Sequence, residues 1–103
     1  MAARDNPAVL ASIVSRVVAL GATEFEVEYK DRHEQVFACN GPIGMGIAAY
    51  SSGSKAAEEL RSALYSLRRK RQKIRVADVD YRLLVEVFDS FGEDAFRVTI
   101  QKS

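Results

Sequence analysis

The chain has 103 residues, with 15 Lys and Arg against 14 Asp and Glu, one cysteine, and a hydrophobic share of 48%. That length holds one domain around one core, and not two. A net charge of +1 excludes a global field that gathers nucleic acid or anionic lipid; no run approaches the ~20 apolar residues of a membrane helix, and a lone thiol excludes an internal disulfide.

The opening residues Met1-Ala2-Ala3-Arg4-Asp5 lack the apolar run of a signal peptide and are expected to be a flexible lead into a single domain spanning 1–103. Cys39, beside Phe37, is expected to pack as a small apolar group, and the cytoplasm is the expected compartment.

Residues 7–20, "PAVLASIVSRVVAL", place Leu10, Ile13, Val14, Val17 and Leu20 at helical spacing along one stripe. Asn6 is suited to cap this helix, Pro7 to its first position, and Gly21 to a left-handed end. In "TEFEVEYK", Phe25, Val27 and Tyr29 alternate with Glu24, Glu26, Glu28 and Lys30, the period of a strand with one wet face. Asp31-Arg32 turns the chain into a second strand, "HEQVFACN", where Val36 and Phe37 fall on opposite faces. Residues 40–53 read as a glycine-rich link. From Ser54, which suits an N-cap, Ala57, Leu60, Leu64 and Leu67 form a second helical stripe, with Glu58 and Glu59 at its positive end and a basic run at its negative end. Three strands follow. "KIRVA" aligns Ile74 with Val76; "DYRLLVEVF" aligns Tyr81, Leu83, Val85 and Val87; "AFRVTI" aligns Phe96, Val98 and Ile100. "DSFGED" supplies the turn between the last two. The order is α-β-β-α-β-β-β: an α+β fold, with both helices on one face of an antiparallel sheet.

Several constellations bear on function. The link ends in Gly53-Ser54-Lys55 before a helix, which resembles a phosphate loop in context. However, Ser54 separates the glycine from the lysine, and Ala56 stands where a magnesium-binding hydroxyl belongs. Gly53, Ser54 and Lys55 therefore support at most an anion or nucleotide site at a helix start. Arg68, Arg69, Lys70, Arg71 and Lys73 form a basic segment able to neutralise phosphates, and the alternative they offer is nucleic-acid binding. The same charges also complement a helix C-terminus. The carboxylates of Glu24, Glu26 and Glu28, spaced about 6.6–7 Å apart along one strand, suit either acid–base work or a solvated, aggregation-resistant face, with Arg97 as a balancing charge. His33 has no second histidine or nucleophile to act with. No zinc-ligand or catalytic-triad spacing is present, so no catalytic, cofactor-binding or metal-binding residue is assigned. The expected partner is a protein or a second copy. Its contacts are expected at the apolar residues of the link, Ile43, Met45, Ile47 and Tyr50.

The stretch "KIRVADVDYRLLVEVFDSFGEDAFRVTI" resembles the hairpin region in the N-terminal, non-ATPase domain of type II secretion and type IV pilus assembly ATPases. The matching parts are Ile74–Val76, Tyr81–Val87, the aromatic-Gly-Glu turn Phe91-Gly92-Glu93, and Phe96–Ile100. Gly21-Ala22-Thr23-Glu24-Phe25-Glu26 stands where that family commonly has Gly-Ala-Ser-Asp, an apolar residue and His, so the resemblance spans residues 8–101. Glu26 replaces the His, and Leu84 falls where an arginine commonly reaches a neighbouring subunit's nucleotide. The resemblance implies an assembly domain that binds a partner or subunit and does not hydrolyse ATP. None of the family's nucleotide contacts carries over to a residue here.

Overall fold

The computed structural model describes residues 8–69 and 73–102. The readings at Asn6, Pro7, Lys70 and Arg71, and the flexible lead, lie outside them. Eight elements follow in order: α1 (Ala8–Ala19), β1 (Glu24–Lys30), β2 (His33–Asn40), β3 (Ile43–Ser51), α2 (Lys55–Arg69), β4 (Lys73–Val76), β5 (Val79–Ser90) and β6 (Glu93–Lys102). The α+β class and the two helices on one sheet face are as expected. The difference is β3: what reads as a link is a nine-residue strand. Its two internal glycines and weak alternation hide a strand that nonetheless pairs with β2 from Asn40–Ile43 to His33–Ser51.

All six strands are antiparallel neighbours in one sheet, ordered β3-β2-β1-β6-β5-β4. The chain thus builds two three-stranded meanders, each preceded by a helix, and joins them along β1 and β6. Two-residue turns close the hairpins. Asp31 and Arg32 have φ of 53° and 64°, and Ala77 and Asp78 have 49° and 66°, the left-handed pairs of type I′ turns, whose twist matches that of the flanking strands. Gly41 (φ 64°) before Pro42 follows the pattern in which glycine takes the first central position. The third such pair is Phe91 and Gly92 (φ 53° and 85°).

The core lies between sheet and helices. Leu10, Ile13, Val14 and Val17 of α1, with Leu60, Leu64 and Leu67 of α2, pack on Phe25, Val27, Val36, Leu83, Phe96 and Val98. Each helix ends by a local device. Gly21 ends α1 in the left-handed region, with Gly21 N–H on Val18 O and Ala22 N–H on Val17 O. Leu20, expected on the α1 stripe, lies just past the helix end and is half exposed. Ser54 caps α2: its Oγ accepts from Ala57 N–H at 3.1 Å and donates to Ser51 O at 2.6 Å.

Pairing at the sheet centre is short. β1 and β6 match only from Glu24–Thr99 to Val27–Phe96. On the far side, β5 keeps β4 only as far as Arg82, although β5 and β6 stay paired to their turn. The end of the β5–β6 hairpin therefore stands clear of other described strands on both sides, and at its tip Phe91 is fully exposed.

A phenylalanine in the left-handed region with no burial to offset it is strained, since that region costs an L-residue about 1–2 kcal/mol and Asn or Asp tolerate it better. Replacing Phe91→Asn is expected to raise the unfolding free energy by about 0.5–1 kcal/mol in urea titration. A loss of stability would show that the ring holds a contact in the fold.

Candidate functional site

Of the elements just described, β3 is the one whose composition departs most from what its position demands. It is an outer strand, where exposed backbone groups invite pairing and natural sheets usually place charges or proline. Here no charged residue occurs from Gly41 to Ser54, and proline sits only in the preceding turn. Ile43 is 71% exposed and Met45 56%.

The register explains which groups face out. Asn40 and Ile43 close a two-residue hairpin, so this pair and Ala38–Met45 are the hydrogen-bonded ones, and Gly44 and Gly46 turn their N–H and C=O away from β2. The pairing then slips: Phe37 faces Gly46 and Val36 faces Ala48, which leaves Ile47 as the bulged residue. Arg16 of α1 donates to the Ile47 carbonyl and so pins the bulge from the helix side. Of the four residues expected to meet a partner, the strand presents Ile43 and Met45 to solvent. Ile47 and Tyr50 are half-buried against the core.

Gly44 and Gly46 are not required by the local backbone. Neither has a positive φ. A Cβ at either position would meet only the Phe37 side chain, at 3.7 Å, an ordinary contact. Glycine within a strand lowers stability by roughly 0.5–1 kcal/mol relative to Ala, and it commonly marks a place where another backbone approaches.

Behind this edge lies a polar network that sequence reasoning missed. Glu34 on β2 is buried on the helix side and pairs with Arg61 of α2 at 3.2 Å. The Arg61 guanidinium also reaches Tyr65 Oη at 3.3 Å and lies over the Tyr65 and Phe96 rings, 5.7 and 5.5 Å from their centroids. Tyr65 donates to Asp94 and meets Phe96 edge-on at 5.1 Å. The signal was available: Glu34 shares the parity of Val36 and Ala38, so an acid stands in the apolar phase of its strand. This network ties α2 to β2 and β6, one strand from each half of the sheet.

The open face of the sheet carries the glutamate stripe. Arg97 of β6 answers it, donating through Nε to Glu26 at 2.9 Å and lying 6.0 Å from the Phe88 ring centroid. A groove of about 390 Å³ runs here, with Glu24, Glu26 and Glu28 on one side and Phe37 and Cys39 on the other. Burial, then the Glu26 and Glu24 carboxylates, push the Cys39 thiol above its ordinary value, which disfavours the thiolate a nucleophile requires. His33 is exposed, with Nδ1 2.8 Å from the Asp31 carbonyl.

The remaining sequence candidates are placed apart from one another. Arg68 and Arg69 are exposed at the end of α2, and Lys73 is exposed at the start of β4. Gly53, Ser54 and Lys55 form the turn into α2, where the Ser54 hydroxyl already serves as the cap. Among the described residues, no group of three or more His, Cys, Asp or Glu is arranged to hold a metal, and no helix is long and apolar enough to cross a membrane. No protein-family model and no curated protein matches the chain.

Two predictions follow from the network. Arg61→Ala strands a buried carboxylate and is expected to cost about 3–5 kcal/mol; the pair Glu34→Leu with Arg61→Met is expected to recover most of that loss in urea titration. The hydrogen bond to Asp94, then burial, hold the Tyr65 phenol above its ordinary value of 10.0. The folded state thus favours the protonated phenol, so this contribution is complete below 10.0 and is lost as pH rises through the higher folded value. Unfolding measured across this alkaline range should show the wild type converging on Tyr65→Phe. A constant difference between the two would refute the assignment.

Proposed function

We propose that this chain is a non-enzymatic protein-interaction or assembly module whose working surface is the β3 edge. One observation carries the reading: a nine-residue outer strand with no charge, two exposed large apolar side chains, and two glycines that its own backbone conformation does not require. An edge of that kind recruits an added strand. Backbone hydrogen bonds supply affinity, and alternate side chains supply specificity. The resemblance to assembly-ATPase N-terminal domains points in the same direction and rests on the residues quoted for it.

The test is site-specific photo-cross-linking in cells. A benzoyl-phenylalanine at position 45 is expected to give discrete adducts, while the same probe at Glu59, on the exposed side of α2, gives none. Adding Gly44→Pro deletes an outward N–H without taking a bond from β2, and it should abolish the adducts while leaving the circular dichroism spectrum unchanged. Equal labelling at both positions, or adducts indifferent to proline, would refute the reading.

A further inference from the structure

We infer that the strand which completes the β3 edge is β3 of a second copy, paired antiparallel about a two-fold axis through Met45. This deepens the reading above and rests on it. The segment Ile43-Gly44-Met45-Gly46-Ile47 is a palindrome. In an antiparallel pair centred on Met45, Ile43 faces the partner's Ile47, Gly44 faces the partner's Gly46, and the two Met45 side chains meet. Each residue finds its own kind, as an isologous interface demands.

The hydrogen bonding agrees with this register. Gly44 and Gly46 are the residues whose N–H and C=O point away from β2, so each Gly44–Gly46 pairing exchanges two backbone bonds, four in all across the axis. Met45 opposite Met45 is then a non-bonded pair, the kind in which side chains sit closest. The faces agree as well. Met45 shares the face of Ala38, its partner on β2, and Ile47 packs on the core, so the apolar side chains of both copies gather on the helix side. On the opposite face the glycines leave no side chain to obstruct the approaching backbone.

Charge selects a second copy at this edge. From Gly41 to Ser54 there is nothing ionised to oppose its own image. The other exposed strand edges carry charge: β4, the opposite outer strand, has Lys73 and Arg75, and β5 beyond Arg82 has Glu86 and Asp89, so self-pairing there brings like charges into reach of each other. One added strand and a few apolar side chains make a small interface, so the dimer is expected to be weak and concentration-dependent.

Sedimentation of the purified full chain from ~10 μM to ~1 mM, the range in which a weak complex forms, tests this. The expected result is a monomer–dimer equilibrium that Met45→Lys, a change at an exposed side chain, shifts to monomer throughout. In a Cys39→Ala background, Met45→Cys places two thiols on the axis, where Cα atoms about 4.5 Å apart suit a disulfide. It should oxidise to a covalent dimer at least ten times faster than Ala49→Cys. A chain that stays monomeric, or equal oxidation rates for the two cysteine variants, overturns the inference. If the photo-probe at position 45 still gives adducts with a different protein, the interaction-module reading stands and only self-pairing falls; if it gives none, both fall.

Discussion

The fold depends on a short seam. Among the described residues, the four pairs from Glu24–Thr99 to Val27–Phe96 form the ladder that joins the two meanders. Directly over this seam lie Phe25, Val27, Phe96 and Val98, all fully buried beneath the helices. The seam is strong because pairing and burial coincide: the residues that exchange backbone bonds also carry the apolar area that the helices cover. Its shortness has a consequence. Past Val27 and Phe96 the β1–β6 pairing stops. The Arg61–Tyr65 pair of α2 links the two halves, held by Glu34 of one and Asp94 of the other. An ion pair with one partner buried is often no more stabilising than an apolar replacement. Here its value is positional: the carboxylate, the guanidinium and the phenol tie α2 to β2 on one side and to β6 on the other.

The two faces of the sheet are consequently unlike. The helix face is apolar and covered except at β3, where Ile43 and Met45 remain exposed. The open face is a salt-laced surface in which Arg97 serves Glu26 while lying beside Phe88. Such charges resist stacking of this face against another apolar sheet. The outer strands differ in the same way: β4, opposite β3, carries Lys73 and Arg75. The exposed length of β5 carries Glu86 and Asp89, charges of the sort that guard an edge. β3 has no such guard.

Much of this was legible in the sequence because it rests on period. Five of the six strands, the stripes of both helices, the Gly21 stop, the Ser54 cap and the turns at Asp31-Arg32 and Phe91-Gly92 follow from alternation and local turn chemistry. β3 was not legible because strand propensity measures fit to a half-buried pleated surface, and a strand of glycine and alanine with an exposed edge shows little of that pattern. Its pairing comes from β2, which pattern-reading treats only as a neighbour in sequence. The bulge at Ile47 obscured it further, since one extra residue breaks the period of two. The apolar residues of the candidate edge were still found, for the simpler reason that Ile43 and Met45 stood where a link should be polar. The Glu34–Arg61–Tyr65–Asp94 network was missed because its members lie far apart in the chain. Only Glu34 carried a local sign, an acid in an apolar phase.

That sign and the glycines of β3 argue in the same manner. Each is a residue that its own element does not want. For Glu34 the explanation is inside the molecule: Arg61 reaches it, and the conflict between strand pattern and side chain is resolved within the fold. For Gly44 and Gly46 no described residue resolves it. Both have room for a Cβ and neither has a left-handed backbone, so a side chain there would meet only an ordinary contact with Phe37. Sequences whose local choices agree with the fold are the rule, and departures gather where function imposes its own demand. The demand consistent with two bare positions flanking an exposed methionine is close approach by another backbone.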